Sequence, residues 1–346
     1  MAGPPVTNTT IHSELVDVLE DLDTEIRNVD PEMTPYYSNS QKGTANNPTQ
    51  HEWLTDTYRA ARNVPAAEGF DATFPAHVPR VRLSNTNQIA EDSAIVSDTT
   101  NASGTATTMT EIVYQAVKKG VEVRRDVETV LVANVAKDGT DPRKLGSHAT
   151  WMTNGGVGTD DMLGATGSLG VGDGSTAVTP GTARAMTIGQ VDTAMQLVYT
   201  ATGRIGTRML MMSEDLKKKF SKLNFAGGGT DVAALEATVT GPRPTFSVGA
   251  VNVYITDFGR IDLVPNVFMS DTTQALTGFA GDGTDHQAML LDRRFYGVNT
   301  LPGRSFKTTP LAKTGSAEKW MIEWEGTLKI HNQKAHATIF ALDPAL

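Results

Sequence analysis

The stretch EKWMIEWEGTLKIHNQKAHATI, residues 318 to 339, alternates at period two over an unusual length. Trp320, Ile322, Trp324, Leu328 and Ile330 share one face of an extended chain; Met321, Glu323, Glu325, Thr327, Lys329 and His331 share the other. At about 3.3 Å per residue, residues 319 to 331 span roughly 40 Å, whereas an ordinary strand has about 5 to 6 residues. One long amphipathic strand therefore constrains the fold more than any other segment.

Its polar face raises a question of chemistry. Glu323 and Glu325 lie on one side, with His331 and His336 close behind. A retaining glycosidase holds two carboxyl groups about 5 Å apart, and a strand face permits that spacing. The plainer reading makes them the polar side of a half-solvated strand, with Lys329 or a neighbouring strand's cation nearby. The rest of the chain decides between the two.

No cysteine is present, which removes disulfides, thiolate metal sites and a cysteine nucleophile. The glycine run GATGSLGVGDG, 164 to 174, lacks a Gly-Lys-Ser/Thr end, a preceding apolar strand and a following helix, so it is no phosphate loop. DGTD occurs at Asp138 to Asp141 and again at Asp282 to Asp285, each without the further carboxylates of a calcium loop; both read as turns. His331 and His336 form no HExxH pattern, and His12, His51, His77, His148 and His286 are scattered. Asn8-Thr9-Thr10 and Asn101-Ala102-Ser103 match glycosylation sequons but have no secretory signal in front of them, and no Gly-x-Ser-x-Gly elbow occurs. No catalytic residue, cofactor site or metal site is expected.

A net charge of -9 argues against a protein that wraps nucleic acid through its phosphates. MAGPPVTNTT has no basic segment followed by an apolar run, and no stretch approaches the roughly 18 apolar residues of a membrane span. Cytoplasmic synthesis is expected. With 346 residues, the chain can form two or three units or one core with large excursions.

Along the chain, HSELVDVLEDLDTEIRN (12 to 28) places Leu15, Val18, Leu19, Leu22 and Ile26 on one helical stripe between acidic residues, and Asp30-Pro31 ends it. Residues 35 to 50 read as a turn-rich connector. HEWLTDTYRAAR (51 to 62) and VPRVRLSNTNQIA (78 to 90) read as the arms of a long projecting hairpin, too poor in apolar side chains to build a core. From 108 to 137 the period becomes 3.6: Met109, Ile112, Val113, Ala116 and Val117, then Val127, Val130, Leu131 and Val135. Gly120, near the middle of this helix, suggests a bend or a close backbone contact. Lys118, Lys119, Glu122, Arg124, Arg125, Asp126 and Glu128 read as a solvated or intersubunit face with mixed ion pairs.

Residues 138 to 181 hold 11 glycines and little periodicity, which predicts a mobile loop. Thr187 and Gln190 form a capping box for a helix that stops near Gly203. TRMLMMS (207 to 213) reads as a buried strand, with Ser213 capping EDLKKKFSKLN; segments 249 to 266 and 286 to 299 are rich in strand. The pattern is α+β with a late antiparallel sheet.

The order of these parts resembles the Hong Kong 97-type fold of tailed-bacteriophage major capsid proteins. TPYYSNSQKGTANNPTQHEWLTD (34 to 56), EIVYQAVKKGVEVRRDVE (111 to 128), DFGRIDLVPNVFM (257 to 269) and LAKTGSAEKWMIEWEGTLKIHNQKAHATI (311 to 339) are similar to a family of phage major head proteins. The resemblance implies an N-terminal arm over 1 to 35 and an extended loop over 36 to 105 lying on a neighbouring subunit. It implies a peripheral domain from 106 to 180 and 291 to 346 with the spine helix 108 to 137, and an axial domain from 181 to 290.

Trp53, Arg59, Arg62, Glu68, Arg80, Arg82, Arg124 and Arg125 are the candidate intersubunit contacts; Gly120 and the glycine loop 154 to 181 are candidate hinges. The implied function is self-assembly into pentamers and hexamers of an icosahedral head around double-stranded DNA that the wall touches weakly if at all. Implied partners are copies of the chain, a separate scaffolding protein, a portal and decoration proteins, with assembly in the cytoplasm of a bacterial host. Some relatives crosslink lysine to asparagine; Lys42 with Asn46 or Asn47 sits near the loop base, but nothing in the spacing singles it out and no such site is matched here. The rivals are another self-assembling phage component, of the tail or a surface lattice, and a carboxylate-dependent glycosidase.

Overall fold

The computed structural model describes residues 33–72, 74, 78–103, 110–157, 161–225, 252–269, 286–344 and 346. It runs α1 (Pro35–Asn39), β1 (Gln41–Thr44), β2 (Gln50–Thr55), β3 (Val81–Thr86), β4 (Gln88–Ser97), α2 (Asp98–Ala102) and α3 (Glu111–Val132). Then follow α4 (Ile188–Thr202), β5 (Arg208–Met212), α5 (Glu214–Phe225), β6 (Val253–Thr256) and β7 (Gly259–Pro265). The chain closes with β8 (His286–Leu291), β9 (Tyr296–Thr300), β10 (Lys307–Pro310), β11 (Ala317–Ile330) and β12 (Ala337–Leu342). The acidic stripe at 12 to 28 and the second DGTD lie outside the described residues.

The long strand is β11, 14 residues, and it is the axis of the first sheet. One side pairs antiparallel with β4 from Ala317↔Ser97 to Gly326↔Gln88. The other meets β10 and then β9, and β1 joins β9 in parallel. The second sheet has the order β12-β8-β5-β7-β6. Both sheets are mixed, since β5 also runs parallel to β7. The expected late antiparallel sheet thus takes in strands from early in the chain: the supposed connector supplies α1 and β1, and the second hairpin arm continues as β4.

The hairpin is shorter than its two expected arms, pairing only from Gln50↔Thr86 to Thr55↔Val81. Its base is packed, because Trp53 and Leu83 are buried and the Trp53 ring lies 5.3 Å from that of Trp151.

Local signals hold where they are strongest. The capping box forms, with Gln190 N donating to Thr187 Oγ1 at 3.2 Å and Thr187 N to Gln190 Oε1 at 3.0 Å, and α4 closes on left-handed Gly203 at φ 64°. β5 is buried at every position, and Ser213 Oγ accepts from Leu216 N at 3.4 Å at the start of α5.

Two expectations fail for reasons of packing. The 138 to 181 segment has little regular structure, yet Leu145, His148, Ala149, Trp151, Met152 and Leu163 are buried in the main core, so it is a packed irregular layer rather than a mobile loop. Glycine makes this close approach possible: Gly174 has φ +82°, and a Cβ there would stand 2.7 Å from Trp151. In α3 the buried residues are Ile112, Val123, Val127, Glu128, Leu131 and Val132, while Val113 and Val117 are about half exposed. The first turns lie beside the sheet but are not covered on their outer flank by the described residues, which turns half of the apolar stripe into a groove wall. α3 is continuous through Gly120, where a Cβ would meet only Ile322 Cδ1 at 3.8 Å, an ordinary contact and not a close one.

Candidate functional site

The polar face of β11 is not half-solvated. Glu323, Glu325 and Thr327 are buried, and Thr327 Oγ1 donates to Thr86 O at 2.8 Å. The cations do not come from Lys329. Arg304, from the turn between β9 and β10, places Nη1 3.3 Å from Glu323 and 3.5 Å from Glu325. Arg143, from the irregular layer, places Nη2 3.4 Å from Glu325. Two guanidinium groups therefore match two covered carboxylates in an ion cluster built from three parts of the chain. Arg304→Ala should destabilise the subunit by about 1–3 kcal/mol in denaturant unfolding, between the values for an exposed pair and a fully buried one because Arg304 is partly exposed. An unchanged midpoint would show that water alone suffices at these carboxylates.

The two histidines do not continue that face. β11 ends at Ile330, His331 stands at the sheet's end, and His336 is fully buried. Its ring lies 5.4 Å from His148 and 5.8 Å from Tyr296, and its Nδ1 accepts from Asp292 N at 3.3 Å. Burial pushes His336 down to about 4 and His148 well below the ordinary histidine value, so both are packed as neutral rings. Among the described residues, no group of three or more His, Asp or Glu side chains is arranged to hold a metal ion.

The candidate contact residues separate into classes. Trp53 is buried within its own chain against Trp151. Arg59, Arg62, Glu68, Arg80 and Arg82 are exposed, with Arg80 3.6 Å from Asp56 and Arg82 3.4 Å from Glu52 in solvated pairs worth little. Arg124 lies over the Phe306 ring at 5.4 Å, and Arg125 over Phe268 at 5.8 Å. The mixed pairs on α3 form, Lys118 to Glu122 at 3.9 Å and Lys119 to Glu122 at 2.7 Å, with Lys119 also 3.0 Å from Asp92. Lys42 Nζ lies over the Tyr37 ring at 3.0 Å and donates to Ser40 Oγ at 2.8 Å, whereas Asn47 closes a local turn with Thr49, so the loop-base pair is not joined.

Glu128 does not belong to the charged face. It is buried between the core positions Val127 and Leu131, and the same 3.6 period that marks those residues places it on their side of the helix. Its Oε1 accepts from Tyr36 N at 2.7 Å and Asn266 Nδ2 at 2.8 Å, and its Oε2 from Tyr37 N at 2.7 Å.

Every described residue from 56 to 80 is exposed, including Tyr58 at 104%, Phe70 at 66% and Phe74 at 94%. Elsewhere a groove of about 270 Å³ opens between α3 and the sheet, lined by Val113, Val117, Phe306, Trp320 and Ile322 among others. A segment with exposed aromatic side chains and an apolar groove are thus both left uncovered by the described residues.

Solved structures share this fold. The fold is similar to the capsid asymmetric unit of cyanophage A-1(L), with TM-score 0.62, 12% identity and coverage of 98% of this chain and 99% of that one. It is also similar to the capsid of a native GTA particle, with TM-score 0.59, 12% identity and 96% of each chain covered. The major capsid protein of Escherichia phage Phieco32 is 28% identical over 343 residues, covering 90% of both chains. A family profile described as SU10 major capsid protein matches residues 5–343, nearly the whole sequence, and the chain belongs to that family of phage major capsid proteins.

Proposed function

We propose that this capsid protein closes head-to-tail rings of five and six copies into an icosahedral head around double-stranded DNA, with no catalytic step of its own. The observation that carries the reading is the solvent-exposed segment 56 to 80 with its aromatic side chains. Left in water, that apolar surface is unfavourable by about 25 cal/mol per Å², and a neighbouring subunit is the surface that can cover it. The groove beside α3 is the acceptor of matching chemistry.

In this reading residues 1 to 35 are the N-terminal arm and 36 to 105 the extended loop. Residues 106 to 180 and 291 to 346 form the peripheral domain, and 181 to 290 the axial domain meeting at ring centres. Arg59, Arg62, Glu68, Arg80, Arg82, Arg124 and Arg125 are proposed rim contacts, and Gly120 is a proposed hinge, supported only by the backbone freedom of glycine. A scaffolding protein, a portal and decoration proteins are the further proposed partners, with assembly in the bacterial cytoplasm.

Negative-stain electron microscopy with light scattering on the purified chain, alone and with the neighbouring gene products, tests this. Rings of five and six or closed particles are expected. Tubes or flat lattices would replace the head with another phage structure, and a monodisperse monomer under every condition would overturn assembly altogether.

A further inference from the structure

The groove beside α3 takes its walls from three places: Val113, Val117 and Gly120 on α3, Trp320 and Ile322 on β11, and Phe306 just before β10. None of its lining residues is charged. Val113 is 48% and Val117 58% exposed among the described residues. The chain enters the body beside this groove. The amides of Tyr36 and Tyr37 anchor α1 on α3 by donating to Glu128, and the Tyr37 ring meets Phe306 edge-on at 5.7 Å. Phe306 therefore belongs both to the groove wall and to the point of entry.

We propose that the apolar stripe of residues 12 to 28 folds back into the groove of its own subunit, as a cover that a neighbour's loop must displace before docking there. The spacing fits. Leu15, Leu19, Leu22 and Ile26 recur at i, i+4, i+7 and i+11, which is the pattern an amphipathic helix lays into an apolar trough. At 1.5 Å per residue that stripe is about 16 Å long, and the α3 wall from Ile112 to Gly120 is about 12 Å.

The charges fit as well. The segment carries Glu14, Asp17, Glu20, Asp21, Asp23 and Glu25, with Arg27 as its only Lys or Arg. Cations stand where the chain enters, Arg124 over Phe306 at 5.4 Å and Lys42 over the Tyr37 ring at 3.0 Å. The acids of α3 nearest to them in the chain are already matched, Glu122 by Lys118 and Lys119, and Glu128 by the amides of α1.

Reach makes the contact intramolecular. Glu128, the anchor of α1, lies eight residues along α3 from Gly120, or about 12 Å. The seven residues from Arg27 to Met33 extend to about 23 Å, enough to cover that distance. So short a tether gives an effective concentration on the order of 1 mM, far above that of free copies in dilute solution.

The chain has no cysteine, so introduced pairs report on this contact without background. Val117→Cys is combined, in the full unassembled chain, with Leu19→Cys or Leu22→Cys on the stripe, or with Asp17→Cys or Thr24→Cys on the opposite side. Val113→Cys replaces Val117→Cys if that variant fails to fold. Under mild oxidation the stripe positions are expected to form a disulfide within the monomer about tenfold faster than the polar ones, because a disulfide needs Cα atoms within about 7 Å. Equal rates on both sides, bonds only between copies, or no bond would overturn the fold-back.

The role as a cover rests on the assembly reading, in which the groove accepts a neighbour's loop. Trapped monomers should form no rings or particles until a reductant opens the disulfide, and trapped monomers that assemble as readily as reduced ones would overturn that role. Because the fold-back is scored on monomers, its failure and the failure of assembly remain distinguishable.

Discussion

Replacing Tyr58, Phe70 and Phe74 together by serine is expected to abolish closed particles under conditions where the unaltered chain forms them, with the denaturant midpoint of the free subunit unchanged within about 0.5 kcal/mol. All three side chains are exposed among the described residues, so folding should not register their loss. Assembly should. An aromatic anchor at the centre of an interface contributes about 2 kcal/mol or more, which is roughly 30-fold in each contact's equilibrium constant. The same contact repeats around every ring, so the losses multiply through a closed shell. Electron microscopy and sedimentation of the triple variant give the answer. Particles in normal yield would show that residues 56 to 80 are not an interface, and a large drop in subunit stability would show that they are covered within one chain.

Trp151→Ala should have the opposite signature: a subunit destabilised by about 3–5 kcal/mol, the range for emptying a large aromatic site in a core. Trp151 is fully buried, lies 5.3 Å from Trp53, and donates Nε1 to Gly146 O at 3.3 Å. Gly174 approaches its ring so closely that no side chain fits between them, so the site has little room to collapse. The experiment is equilibrium unfolding of the free subunit by tryptophan-independent circular dichroism. A change below about 1 kcal/mol would mean that the 138 to 181 layer is a loose cover and that the hairpin base does not depend on it. Particle yield should fall only as far as folded subunit falls, which separates this variant from the loop aromatics.

The fate of the carboxylates and of Glu128 illustrates how far a sequence can be read. Glu323 and Glu325 were legible as neighbours on one strand face, because period two is a property of the local chain. That the face would be buried was not, because its cations, Arg143 and Arg304, come from irregular segments, Arg143 from 182 residues away. Glu128 carries the helical period of the core, but its amino acid type suggests a surface; the amides of α1, 91 and 92 residues earlier, and the side chain of Asn266, 138 residues later, satisfy its buried carboxylate. The family resemblance was legible in wording spread along the chain, and the profile match over residues 5–343 agrees with it.

By itself, the sequence determined the long strand β11, the buried strand β5, the capped helices α4 and α5 and the existence of the spine helix α3. Each of these depends on periodicity or capping within about a dozen residues, and those interactions are the same wherever the segment lies. Only the tertiary structure decided that β4 lies along β11, that β1 runs parallel to β9, and that a glycine-rich stretch packs as core. Among the described residues it also left one flank of α3 and those of the 56 to 80 segment uncovered. The physical reason is that burial depends on which surfaces meet, and that is decided by segments far apart in the chain rather than by any local pattern.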